Sequence, residues 1–292
     1  MIHAFTVDVE DLYNLMLRQE LRRESPPTQA VVRNTRVLAD LLARFEVGGT
    51  FFVLGEVAET FPSLVRDLAA AGHELGVHGY SHRKVWQLGP EAFRREVRQA
   101  KARVEDAAGQ EAPGYRAPAF SLRADTHWLF DVLAEEGFRY DSSVRPSAAR
   151  QFGWTEFGED IVAVRLRGGR TLIEAPLPML HVFGKAVPAC GGGYLRHLPF
   201  WYTRWAMRHI GRRRPVIVYV HPYEVDTAPP PAEYAAVLAK APRALRRVDR
   251  TMRRNAHTVL GKLRWLLQRY RFAPLQEVIE RQLGDRAAAG ST

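Results

Sequence analysis

His78 and His82 stand four residues apart in Val77-His78-Gly79-Tyr80-Ser81-His82, and the N-terminal region carries an acidic cluster, Asp8-Val9-Glu10-Asp11. Imidazoles at i and i+4 can point at one divalent cation, and a carboxylate completes a three-ligand shell with a position left open for water. An open position belongs to a catalytic rather than a structural metal. The chemistry in view is therefore metal-assisted hydrolysis.

The elements that must position these residues follow from hydrophobic periodicity. Apolar, β-branched runs alternate with helical patterns, which predicts strands over Ile2 to Val9, Thr50 to Leu54, Glu74 to His78, Gly114 to Ala117, Phe138 to Asp141, Thr171 to Ala175 and Val216 to His221. Helices are expected over Val31 to Phe45, Glu56 to Ala71, onward from Pro90, and over Ala124 to Glu136, with Gly72 and Gly137 at helix ends. Asp8, His78, Arg116, Asp141, Glu174 and His221 then all fall at the C-terminal end of a strand. In a barrel of parallel strands that end is the catalytic face. The expected fold is α/β, a distorted (β/α) barrel of seven parallel strands, although an open sheet would show the same alternation. Residues 1–225 are read as the catalytic domain and 226–292 as a helical, basic extension packed on it. Val182 to Leu198, with Pro188, Cys190 and Gly191-Gly192-Gly193-Tyr194, reads as a long loop. Its glycine run either lets backbone approach a substrate or forms a mobile turn.

A chain of 292 residues with 46% hydrophobic content can bury a large core as one domain. The first residues show no basic start followed by an apolar stretch and a cleavage site, and no run approaches membrane-spanning length. Cys190, the single cysteine, excludes a disulfide within one chain. The expected location is the cytoplasm. The formal net charge is +10, concentrated in Arg204 to Arg214 and Lys240 to Arg254. Such stripes either face solvent or attract an acidic substrate, a phosphate-bearing lipid carrier or an anionic membrane, which here would be its inner face. No nucleic-acid partner is expected, because no finger, helix-turn-helix or aromatic RNA-binding signature accompanies them.

From about Phe5 to Pro222 the chain resembles the polysaccharide deacetylase family, metal-dependent carbohydrate esterases with a NodB homology domain. The resemblance rests on the acidic end of the first strand, Thr50-Phe51-Phe52-Val53-Leu54-Gly55, Gly72-His73-Glu74-Leu75-Gly76-Val77-His78-Gly79-Tyr80-Ser81-His82, Arg116-Ala117-Pro118 and Tyr219-Val220-His221, in that order. The acidic start, Gly192-Gly193-Tyr194-Leu195-Arg196 and the basic C-terminal region look most like the exosortase-associated, exopolysaccharide-locus deacetylases.

By this resemblance His78 and His82 hold the metal and Asp8 is the general base toward water, with Arg116 keeping Asp8 ionised and oriented. His221 is the general acid, and Asp141 is the candidate carboxylate that raises its pKa. The backbone N–H of Ala119 stabilises the oxyanion, and Tyr194 is a further candidate substrate contact. Asp141 could instead cap a turn, and Glu174 either contacts substrate or only closes a strand. The family's usual start has two adjacent aspartates, the second a metal ligand, whereas Val9 stands there in this chain. Asp8 and Glu10 share a face along a strand, which favours Glu10 as the ligand, with Asp11 its rival if the strand ends early. The family's usual tyrosine in its third motif is replaced by Ala119, which opens one wall of the sugar site.

The resemblance implies removal of acetyl from an N-acetylated glycan or lipid-linked sugar with one divalent ion. Zinc suits these ligands, and cobalt, nickel, iron and manganese can occupy such a site. Two other readings compete: hydrolysis of a non-glycan N-acyl or cyclic amide, and an idle carbohydrate- or membrane-binding module.

Overall fold

The computed structural model describes residues 1–147 and 153–289. Its first strand, β1 (Ile2–Val9), alternates two kinds of side chain. Phe5, Val7 and Val9 leave on one face, into the apolar core between the sheet and its helices. Ala4 joins an inner cluster with Phe52, Tyr140 and Ile217, and Thr6 and Asp8 reach Arg116 on the same inner side. The two-residue period of a strand thus aims Asp8 at the interior while Val9 anchors the outside.

The other strands are β2 (Thr50–Val53), β3 (Glu74–Val77), β4 (Gly114–Tyr115), β5 (Tyr140–Asp141), β6 (Val162–Arg165), β7 (Thr171–Glu174), β8 (Met179–Val182), β9 (Lys185–Pro188), β10 (Ile217–Val220) and β11 (Arg271–Ala273). The main sheet runs β10-β1-β2-β3-β4-β5-β7-β6, with β11 also paired to β1. The seven expected strands are all present as β1 to β5, β7 and β10, each parallel to its neighbours among them. Past β7, single backbone contacts carry the ring round: Leu177 N donates to Val144 O, Ala189 N to Pro178 O, and Gly191 bridges Tyr219 of β10. The sheet therefore curls toward a barrel.

Gly76 shows how tightly the interior fills, since a Cβ there would lie 2.6 Å from Phe52 Cδ1. Phe52 in turn forms a floor under the Arg116 guanidinium, 4.2 Å from the ring centre.

Three departures from the sequence reading have local causes. The segment read as a loop from Val182 holds β9 and a helix, Gly192–His197. Phe183 and Gly184 both have positive φ, +49° and +75°, which makes the two-residue turn that lets β8 and β9 pair antiparallel. The helix expected over Glu56 to Ala71 is split into Gly55–Thr60 and Pro62–Ala70, because Pro62 has no N–H to continue the first and is suited to start the second. The C-terminal region is not helical throughout: β11 pairs with Ile2 to Ala4 of β1. The following helix, Leu275–Ala289, sets Leu275, Val278 and Ile279 against the inner cluster. Leu275 N donates to Thr50 Oγ1 at 2.7 Å, so this segment covers the N-terminal end of the barrel strands.

Candidate metal centre and active site

Strand β1 ends at Val9 and β3 at Val77, so Glu10 and His78 emerge together at the C-terminal face. Gly79 and His82, with φ of +75° and +59°, turn the chain back. One ligand atom each from Glu10, His78 and His82 lies within 4.8 Å of the others, and all three residues are buried. Glu10 Oε2 is 2.6 Å from His82 Nε2 and 3.8 Å from His78 Nε2. His78 Nδ1 sits 2.9 Å from the Arg116 carbonyl, which can only accept. The ring proton is therefore on Nδ1, and Nε2 presents its lone pair to the cluster. His82 Nδ1 is 3.1 Å from Gln19 Nε2.

This donor set fits a divalent first-row cation. Glu10 Oε2 is buried, and His82 Nε2 at 2.6 Å is its nearest ring nitrogen. Two imidazole nitrogens and such an oxygen are what an open three-ligand site requires. Burial lowers the His78 pKa to about 4, so it is neutral at physiological pH as a ligand must be. Burial would raise the Glu10 carboxyl, but the charges of His82 and His221 outweigh it and hold it at about 2. Asp11 lies outside the cluster. Its Oδ1 caps the helix Leu12–Leu15 through Tyr13 N, and its Oδ2 accepts from Thr28 N. A strand that persists to Val9 turns Glu10 inward and spends Asp11 on the next element.

Behind the cluster, Arg116 is fully buried. Its Nη1 donates to Asp8 Oδ1 at 2.8 Å and to Thr6 Oγ1 at 2.7 Å, while Nε and Nη2 reach Ser142 O and Oγ. Asp8 is thereby clamped through one oxygen. The other, Oδ2, is buried with no hydrogen-bond partner, 3.8 Å from His221 Nε2.

His221 follows β10, stacked on Tyr223 with ring centres 4.9 Å apart. Its Nε2 is 3.4 Å from Glu10 Oε1 and its Nδ1 3.1 Å from Glu224 Oε2. Burial alone would lower this imidazole, but Glu10, Glu224 and Asp8 together raise it to about 9. A ring held protonated at neutral pH can donate.

The carboxylates around His221 are Glu224, Glu10 and Asp8, and Asp141 is not among them. Strand β5 pairs with β4 and β7 and not with β10, so Asp141 instead faces Glu174, its register partner on β7. Asp141 Oδ1 accepts from Ser143 Oγ, which accepts from Ala117 N, and Glu174 Oε1 accepts from Val144 N. Both carboxyls brace the loop under Arg116. Sequence reasoning missed Glu224, although a usable signal was present: it stands three residues after His221, across Pro222, and the turn Pro222–Val225 returns its side chain to the His221 N–H. Arg196, buried, comes within 3.4 Å of Glu224 Oε1 through Nε.

Burial, then the charge of Asp141, pushes Glu174 well above the usual carboxyl range, and burial raises Asp141 to about 6. Buried side by side, the two carboxyls resist ionising together. A carboxyl whose folded pKa exceeds its unfolded one adds stability below the unfolded value near 4.5, and loses it as pH rises through the folded value. Glu174→Gln keeps the shape and a donor toward Asp141 with no proton to lose. Its urea midpoint should therefore fall less than the wild type's between pH 4.5 and alkaline pH. A variant whose midpoint tracks the wild type throughout would show that Glu174 is ionised in the fold.

Asp8, Glu10, His78, His82 and His221 line one cavity of about 380 Å³. Leu12, Leu15, Met16, Val248 and Met252 also line it, together with Gln19 and Glu20. Ala119, with φ of +54°, lines it too, as do Gly192 and Gly193. Tyr194 is not among the lining residues, and its hydroxyl accepts from Arg145 Nη2 at 3.4 Å. The glycine run is what approaches the cavity.

Residues 26–140 match the family model described as polysaccharide deacetylase. The chain carries a polysaccharide deacetylase domain. A second family model, described as a domain of unknown function (DUF3473), matches residues 142–280. The two divide the site: His78, His82 and Arg116 lie in the deacetylase match, His221 and Glu224 in the second, and Asp8 and Glu10 precede both.

A Helicobacter pylori peptidoglycan deacetylase is 29% identical over 107 residues, 37% of this chain and 36% of that one. A Bacillus cereus peptidoglycan-N-acetylglucosamine deacetylase is 34% identical over 86 residues, 30% of this chain and 31% of its own length. A chitooligosaccharide deacetylase of Rhizobium leguminosarum bv. trifolii is 33% identical over 100 residues, 34% and 44% of the two chains. The chain thus spans only about a third of the length of these two peptidoglycan deacetylases. Among solved structures, a Mycobacterium smegmatis protein described as a polysaccharide deacetylase superposes with a TM-score of 0.62 at 20% identity, covering 98% of this chain and 91% of that one. The Puue allantoinase gives 0.59 at 15% identity, covering 96% and 89%. Both share the fold.

Proposed function

We propose that this protein is a metal-dependent deacetylase that hydrolyses the N-acetyl group of an amino sugar in a bacterial polysaccharide, glycolipid or glycan precursor. The observation that carries the reading is one buried site holding a three-ligand cluster, a clamped carboxylate with a bare oxygen and an imidazole 3.8 Å from that oxygen. The relatives named for peptidoglycan and chitooligosaccharide deacetylation support an N-acetylated amino sugar as substrate.

Glu10, His78 and His82 would hold the ion, and zinc suits two imidazoles and a carboxylate. When bound, a divalent ion supplies positive charge that polarises the amide carbonyl and acidifies water. Asp8 Oδ2 takes the proton of the attacking water, and Arg116 fixes the direction in which that oxygen points. The N–H of Ala119 donates to the developing oxyanion. His221 Nε2 delivers a proton to the departing nitrogen, oriented by Glu224 at its other ring nitrogen. An idle binding module would need neither the bare base nor the protonated acid.

Leu12, Leu15, Met16, Val248 and Met252 in the cavity lining support a substrate whose sugar is joined to an apolar group, such as a lipid carrier, met in the cytoplasm at the membrane's inner face. Residues 226–292 belong to the same catalytic unit in this reading, because they supply Val248 and Met252 to the cavity and β11 to the sheet.

The test is acetate release by the metal-loaded full chain from N-acetylated chitooligosaccharides and peptidoglycan fragments. Stoichiometric acetate and free amine are expected. His221→Ala should lower kcat by about 10²- to 10⁴-fold on amides and far less on activated esters, whose leaving groups need little protonation. Hydrolysis of a cyclic amide with no acetate from any amino sugar would transfer the site to the non-glycan reading.

A further inference from the structure

From Ala175 to Tyr223 the chain holds seven Lys or Arg and no Asp or Glu. The helix Phe200–Ile210 within it buries Tyr202, Thr203, Ala206, Met207 and Ile210. Trp201, Arg204, Trp205 and Arg208, at i, i+3, i+4 and i+7, are left together on the outer face. Trp201 is 63% exposed and Trp205 40%, and Phe183, at the tip of the β8–β9 hairpin, is wholly exposed. The hairpin lies against this helix: the Tyr202 hydroxyl donates to Pro188 O at 3.1 Å, and Glu159 joins His181 of β8 to Arg214 beyond the helix end. Among the described residues, no carboxylate comes within ion-pair distance of Arg204, Arg208, Arg212 or Arg213, whereas Arg214 is paired.

We propose that this face, together with Phe183, docks the protein on an anionic lipid bilayer. Indole rings beside arginines are the composition of a helix lying in the membrane interface, where the ring bodies leave water and the cations meet lipid phosphates. Other occupants satisfy half of the surface. A soluble polyanion would pair the arginines but leave three large apolar side chains in water. A second copy docked by twofold symmetry would set the same arginines against each other. The surface shares no residue with the cavity, so its test stands apart from the search for amide hydrolysis.

The full chain should sediment with vesicles of equal parts phosphatidylglycerol and phosphatidylcholine and stay in the supernatant with phosphatidylcholine alone. Its tryptophan emission should shift to shorter wavelength, and brominated acyl chains should quench it, a reading that needs no variant. Phe183→Ser/Trp201→Ser/Trp205→Ser and, separately, Arg204→Glu/Arg208→Glu should each weaken partitioning by about tenfold or more while keeping the wild-type unfolding temperature. A wild-type chain that ignores phosphatidylglycerol vesicles, or variants that bind them equally well, would overturn the proposal. So would self-association that the triple-serine variant abolishes without any vesicle binding, since that assigns the face to a second copy. Binding of a soluble polyanion alone, lost only on charge reversal, would likewise reduce the face to its arginines.

Discussion

His78→Ala and His82→Ala should each yield a folded barrel that no longer retains a divalent ion through dialysis and releases no measurable acetate. With three protein ligands, loss of one leaves a bidentate site. Altering even a partner behind a ligand costs about 10- to 100-fold in metal affinity, so removing the ligand itself should cost more. Glu10→Ala belongs with them, because its Oε2 is the oxygen that faces both imidazoles. Asp11→Ala should behave oppositely. It should keep the metal and lose about 0.5–2 kcal/mol of stability, the usual consequence of deleting a helix cap. Metal content and urea unfolding of the four variants separate the two effects. Retention of metal by both histidine variants would sink the cluster, and loss of metal from Asp11→Ala alone would move the carboxylate's role there.

Those contrasts show what a one-dimensional reading could reach. Strand β1 was legible because Phe5, Val7 and Val9 alternate with Thr6 and Asp8, and that period also aligns Asp8 with Glu10. The convergence of Asp8, His78, Arg116 and His221 was legible for a related reason: each terminates or follows a parallel strand, and such strands end on one face. What could not be read was adjacency around the ring. Asp141 ends a strand and only the strand order puts it beside Glu174, whereas Glu224 reaches His221 through the local turn Pro222–Val225. The hairpin of β8 and β9 was hidden because its turn needs positive φ at Phe183, a residue type that does not advertise it. Strand β11 was hidden by brevity, its three residues lying between two strongly helical runs.

The Asp8–Arg116 pair should give the largest stability effect in the site and, from its two sides, two different signatures. Arg116→Met keeps an unbranched stem of similar girth but removes every donor to Asp8 Oδ1, Thr6 Oγ1, Ser142 O and Ser142 Oγ. Removing one partner of a buried ion pair leaves the other charge uncompensated, at a cost of about 3–5 kcal/mol. Urea unfolding should show that loss. Asp8→Asn leaves a smaller deficit, because the guanidinium keeps Thr6, both Ser142 oxygens and the Phe52 ring. Its effect falls on chemistry, with kcat lower by about 10²- to 10⁴-fold and metal content unchanged, since the amide cannot take a proton from water. The double variant should be more stable than the sum of the singles predicts, as the unpaired charge is gone. An Arg116→Met protein with a wild-type midpoint would show that Asp8 is not held as a buried carboxylate. Near-normal turnover by Asp8→Asn would leave the base unassigned, with Glu10 then the nearest carboxylate to His221 Nε2.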